Sequence, residues 1–212
     1  MMPVQQLAHP GASVRLRAAL AAGTSPDARY VDVLVERCAS EPDFHVREAL
    51  TWALTRHAPS LTVPRLVGLL GSPVARARSQ ALHTLSKIGD RRAWPAITHG
   101  LLADADDEVA RSAWRAAVAL VPEGEEAALA RVLAAQLGRG GRETRLSLSR
   151  ALIALGEAAG PAVRAAAADP APHVRRHALA TEHLLRHPDA GFAYAIEEAK
   201  RIVALGPRGG EG

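Results

Sequence analysis

An all-α chain of stacked helix pairs is the fold class this sequence predicts, and three observations predict it. The composition is 48% hydrophobic but only 3% aromatic, and it is rich in Ala and Leu, which favour helices over sheets. One nine-residue string, a small or aliphatic residue, then Arg, then mostly small and aliphatic residues at helical spacing, recurs along the 212 residues. A second, more variable helical pattern fills the intervals between its copies.

The string occurs as VRLRAALAA (14–22), VREALTWAL (46–54), ARSQALHTL (77–85), ARSAWRAAV (110–118), TRLSLSRAL (144–152) and VRRHALATE (174–182). Its arginines, Arg15, Arg47, Arg78, Arg111, Arg145 and Arg175, are 32, 31, 33, 34 and 30 residues apart. This spacing defines about six units with a period of about 32 residues. The intervening pattern reads YVDVLVER (30–37), TVPRLVGLL (62–70), AWPAITHGLL (93–102), EEAALARVLAAQL (125–137) and GPAVRAAAA (160–168). Each unit is therefore helix A, turn, helix B. Pro26, Pro42, Pro73, Pro122, Pro170, Pro172 and Pro188 are expected in turns or at helix starts, where a missing N–H costs no hydrogen bond. Pro64 and Pro95 fall in the first turns of their A helices or kink them. A helix pair cannot bury its apolar face alone, so the units must stack. The expected organisation is one domain over 1–205, with partial units at both ends and a disordered tail, GPRGGEG, at 206–212.

Counted from each Arg as zero, positions −1, +3, +6, +7 and +10 share one helical arc and form the expected core. Position +3 holds Ala18, Leu50, Ala81, Trp114, Leu148 and Ala178, and position +6 holds small residues that let helices approach closely. Glu182 breaks the apolar +7 row, so the sixth unit is expected to pack differently. The opposite arc is expected to face solvent. Four or five residues after the Arg stand Leu20, Trp52, His83, Arg115, Arg150 and Ala180. One residue after it stand Leu16, Glu48, Ser79, Ser112, Leu146 and Arg176.

These strings resemble the HEAT-repeat superfamily, in its short bacterial form known as PBS-lyase-like HEAT repeats. The resemblance covers about residues 12–205 and includes acids ahead of some strings, Asp43 before Arg47, and Asp106 and Asp107 before Arg111. It implies a right-handed α-solenoid whose B helices line a concave face. It also implies that the six arginines form a structural ladder, pairing with acids or carbonyl groups of an adjacent turn. Glu48, Trp52, His83, Arg115, Arg150 and Arg176 are then the concave-face binding candidates, with Trp52 as aromatic anchor and the arginines as a cationic half.

Other chemistry is excluded or weak. The single Cys38 rules out a disulfide framework and a multi-Cys metal site. His173 and His177, like His183 and His187, are four apart, but no third-ligand pattern or HExxH string accompanies them. The glycine-rich LGRGGRE (137–143) lacks the Lys and Ser/Thr of a phosphate loop and reads as a connection between helices. Glu125–Glu126 and Glu197–Glu198 are adjacent pairs that point about 100° apart on a helix, unsuited to acid/base work. No catalytic, metal or cofactor residue is assigned. No apolar run reaches membrane length and no secretory signal opens the chain, so the expected address is the cytoplasm. The net charge of +4 comes from 26 basic residues, nearly all Arg, interspersed with 22 acids, without a basic tail. The expected function is a non-enzymatic scaffold that binds a protein, an acidic peptide or an anionic ligand on its concave face. The alternatives are nucleic-acid binding of the HEAT-like DNA-glycosylase type and a bilin-lyase-like helper.

Overall fold

The recurring strings all lie in α-helices, as the periodicity predicts. The computed structural model describes residues 3–187 and 191–205. In chain order the α-helices are α1 (Ala12–Thr24), α2 (Val31–Ser40), α3 (Phe44–Arg56), α4 (Pro59–Leu69), α5 (Ala75–Ile88), α6 (His99–Leu102), α7 (Asp107–Leu120), α8 (Glu126–Ala134), α9 (Arg142–Ala154), α10 (Gly160–Ala167), α11 (Pro172–Arg186) and α12 (Phe192–Leu205). No strand occurs among the described residues. The B helices are α1, α3, α5, α7, α9 and α11. Pro188 and the expected tail at 206–212 lie outside the described residues.

The A helices depart most from expectation. The stretch 93–102 is not one helix but a 3-10 segment, Arg91–Ala96, followed by the single turn α6. Pro95 lacks the N–H that would continue the ladder. The Asp90 carboxylate accepts from the Arg92 N–H, and the Thr98 hydroxyl from the Leu101 N–H, so each short segment has its own cap. Pro64 lies inside α4, beyond its first turn, and Pro59 starts that helix.

The chain forms two compact units, Met1–Leu120 and Val121–Gly212. In unit 1 the core is the predicted arc: Ala18, Leu50, Ala81 and Trp114 are buried, joined by Leu34 and Leu66 from the A helices. Trp114 is fully buried because its indole N–H donates to the Leu102 carbonyl at 2.8 Å. Gly23 is required for packing, since a Cβ there would stand 2.4 Å from the Trp52 ring. In unit 2, Leu148 and Ala178 are buried, and Ala180 and Leu184 of α11 pack against Ala195 and Ala199 of α12. Glu182, the exception in the +7 row, pairs with Arg186 and lines a cavity of about 650 Å³.

A repeated polar device sets the entry to the B helices. The side chains of His9, Glu41, Ser72, Asp104 and Asp169 each accept the backbone N–H two residues on. The carbonyls of His9, Glu41, Ser72 and Asp169 each accept from the Nη1 of the arginine six residues on: Arg15, Arg47, Arg78 and Arg175. The remaining edge of the guanidinium reaches the next unit where an acid is available. Arg15 Nε and Nη2 grip Glu41 at 2.8 and 2.7 Å, and Arg78 Nε and Nη2 grip Asp104 at 3.0 and 3.1 Å. The acids used are Glu41 and Asp104, two residues ahead of Asp43 and Asp106. Those two instead cap the helices, accepting from the N–H groups of Val46 and Val109.

Glu41 is completely buried and also pairs with Arg37. Its burial opposes ionisation, yet the bonds from Arg15, the Asp43 N–H and Arg37 hold its carboxyl down at about 2. Because the folded value lies below the unfolded one near 4.5, its stabilisation is complete above about pH 4.5 and is lost as the pH falls through about 2. Glu41→Gln leaves two arginines without their counter-charge and should destabilise unit 1 by about 3–5 kcal/mol. All three Trp lie in unit 1, so denaturation followed by tryptophan fluorescence measures this loss; in the variant the stability should also fall less between pH 4.5 and 2 than in the native chain.

Candidate functional site: a groove across three B helices

In unit 1 the outward faces of α3, α5 and α7 enclose a cavity of about 570 Å³. Helix α5 provides its floor with Arg76, Ser79, Gln80 and His83, which helical geometry places on one face. Phe44, Arg47 and Glu48 of α3 form one wall, and Glu108, Ser112 and Arg115 of α7 the other, with Pro42, Ala75 and Asp106 at the helix entries. Ser79 and Ser112, expected to face solvent, are buried, and their hydroxyls bond to each other at 3.0 Å. They tie α5 to α7 beneath the groove. Behind them, Gln80 donates to Thr51 at 2.9 Å and Thr51 bonds to Thr84 at 3.2 Å.

The sequence candidates do not all converge. Glu48, His83 and Arg115 line the cavity together. His83 Nε2 stands 3.3 Å from Glu48 Oε1 but is not aligned for a hydrogen bond, and this buried nitrogen has no hydrogen-bond partner. Burial first, then the charges of Arg115 and Lys87, push the His83 pKa down, against the opposing pull of Glu48. Arg115 donates to Ser112 at 2.9 Å and lies 3.8 Å from Glu108. Trp52 does not line the cavity: it is 40% exposed, and its ring lies against Gly23 of α1. The exposed aromatic on the groove is Phe44, 59% exposed, with the Arg47 guanidinium 5.9 Å above its ring. Sequence analysis missed it; the signal was an aromatic directly after a helix-capping Asp, on no core arc. Arg150, on α9, is exposed and Arg176, on α11, is half-buried; both belong to unit 2.

The cavity carries three arginines, Arg47, Arg76 and Arg115, against three acids, Glu48, Asp106 and Glu108. Asp106 is committed to the α7 entry through the N–H groups of Glu108 and Val109. Glu108 faces Arg111 at 3.3 Å as well as Arg115.

Groups elsewhere that suggest catalysis are structural. Ser149 Oγ lies 3.0 Å from His177 Nε2, both buried. However, the Gly138 N–H donates to His177 Nδ1, so Nε2 carries the ring proton and donates, to Ser149 or to the Arg145 carbonyl at 3.0 Å. An imidazole in that tautomer cannot take the serine proton. The same bond staples the glycine-rich loop, with Gly138 at φ +87° and Gly140 at φ +66°, onto α11. Burial pushes the Cys38 thiol up to about 11, which keeps it protonated and unreactive. Among the described residues no group of three or more His, Cys, Asp or Glu is placed to hold a metal, and no helix is long and apolar enough to cross a membrane.

Paired helices stacked through shared cores, with the outward B-helix faces free to form a groove, define an α-helical repeat protein. Residues 40–120, which contain the groove helices, match the family model described as HEAT repeats. Among solved structures, the complex of CpcE and CpcF of phycocyanin lyase from Nostoc sp. PCC7120 is similar over 94% of this chain and 92% of that one, at 19% identity and a TM-score of 0.41. No curated protein matches the chain.

Burial, opposed by the bond to the Arg145 carbonyl, lowers the His177 pKa from 6.5 to about 4. The unfolded chain takes up the proton first, so the stability of unit 2 should decline as the pH falls from about 6.5 towards 4. Amide hydrogen exchange of α9 and α11 should show this slope in the native chain, and His177→Asn should flatten it.

Proposed function

We propose that this chain is a non-enzymatic binding protein whose unit 1 groove receives a segment of another polypeptide. The observation that carries the proposal is the charge make-up of the cavity: three arginines and three acids share one trough beside an exposed aromatic. A polypeptide presents both charges and apolar groups and can match such a mosaic. A nucleic-acid backbone presents a continuous run of negative charge and would meet Glu48, Asp106 and Glu108 at close quarters. The HEAT-repeat match over the groove helices supports the same reading.

The test uses a benzophenone amino acid in place of Ala75, which lines the groove, and in place of the exposed Arg131 of unit 2 as a control. Photolysis in the cells that make the protein should give a discrete protein adduct from position 75 and none from 131. Arg115→Glu, at the opposite wall, should reduce the yield at position 75. Absence of a protein adduct, together with retention on DNA at low salt that falls steeply as salt rises, would contradict the proposal.

A further inference from the structure

The repeated arginine has two bonding edges, and the ladder shows what each wants. Nη1 holds the carbonyls five and six residues upstream. The Nε/Nη2 edge takes a carboxylate from the position three residues ahead of the next B helix: Glu41 for Arg15 and Asp104 for Arg78. Between these two rungs lies Arg47. The residue that should supply its carboxylate is Ser72, whose short hydroxyl is already used on the Val74 N–H. Arg47 keeps its Nη1 bonds to the carbonyls of Glu41 and Pro42, at 3.1 and 2.7 Å. Its Nε and Nη2 make no hydrogen bond or ion pair among the described residues.

Arg47 lines the groove, whereas the unpartnered Nε atoms of Arg111 and Arg145 are buried. The surroundings of Arg47 favour one kind of occupant. Arg76, exposed and unpaired, lines the same cavity and adds a second positive charge. Phe44 lies under the guanidinium with more than half of its surface exposed. Two of the cavity's three acids, Asp106 and Glu108, are engaged on α7, which leaves Glu48 as the negative charge facing Arg47 and Arg76.

We propose that Arg47 is the anchor of the groove, and that an acidic side chain of the partner segment, next to an apolar residue, completes the rung that Glu41 and Asp104 complete for Arg15 and Arg78. A carboxylate meets the planar Nε/Nη2 edge through two parallel bonds, while its apolar neighbour covers Phe44. This rests on the groove reading above and specifies its partner chemistry.

The experiment uses the full chain and three fluorescent pools of capped nonapeptides whose central pair is fixed as Glu-Leu, Gln-Leu or Lys-Leu, with mixed flanks. Anisotropy titration should show the Glu-Leu pool binding about tenfold more tightly than the other two. Arg47→Gln should erase this preference. Because that variant also loses the Nη1 bonds, Ser72→Asp provides the second arm. It supplies the missing carboxylate from within, so it should raise the melting temperature and still erase the preference. Arg150→Gln in unit 2 should retain it. Equal binding of the Glu-Leu and Gln-Leu pools, with both weakened by Arg115→Glu, would overturn the acidic anchor while leaving the groove reading intact. A Ser72→Asp chain that melts higher yet keeps the full Glu-Leu preference would also overturn it. Binding of none of the pools would count against both.

Discussion

The arginine that opens each repeat string is the interaction on which the rest of the structure depends. Its guanidinium is planar and presents two edges at a fixed angle, so one side chain can hold its own entry turn and the following one at once. Nη1 closes the turn ahead of α1, α3, α5 and α11, and in α1 and α5 the opposite edge reaches the acid at the entry of the next unit. A lysine, with three donors on one atom, could not divide its bonds in this way. The predominance of Arg among the basic residues therefore has a structural use at the repeat positions, and the net charge of +4 says little about the partner.

With the entries fixed, the spacing between B helices is set by what lies at their contacts. Gly23 beneath Trp52, the Ser79–Ser112 pair and the Thr51–Thr84 pair, joined by the Gln80 amide, let backbones approach while satisfying buried polar atoms. In unit 2, Ser149, His177 and Thr181 form a similar cluster. The low aromatic content follows from this close stacking. Of the three tryptophans, only Trp114 is fully buried, where the Leu102 carbonyl meets its indole N–H. The groove across α3, α5 and α7 forms above these contacts and presents the charged residues that the stack leaves outward.

Much of the fold was legible because helical periodicity reports burial directly. The +3 row is buried from Ala18 to Ala178, and all six B helices lie where their strings are. The stretch 93–102 was misjudged because its apolar spacing continues through Pro95, while two local caps divide the backbone. The site was less legible. A helical wheel gives the direction of a side chain but not what its neighbour does with it. Trp52 looked like an anchor, yet a glycine on α1 accommodates its ring. Ser79 looked exposed until Ser112 closed over it. Arg47 looked equivalent to Arg15 and Arg78, and the difference lies about 25 residues away, where Ser72 stands in place of an acid. The division into two units was also invisible to a repeat count, because the strings continue through it.

The central claim is that a repeat arginine and the acid of the following entry turn, where one is present as for Arg15 and Arg78, act as one unit. A double-mutant cycle on Arg15→Gln and Glu41→Gln, followed by tryptophan fluorescence in urea, tests it most directly. If the claim is right, the double variant will be about as stable as the more damaged single variant, because either change alone already breaks the shared bonds. Two losses that simply add would show that Arg15 and Glu41 stabilise the stack independently and would contradict the account.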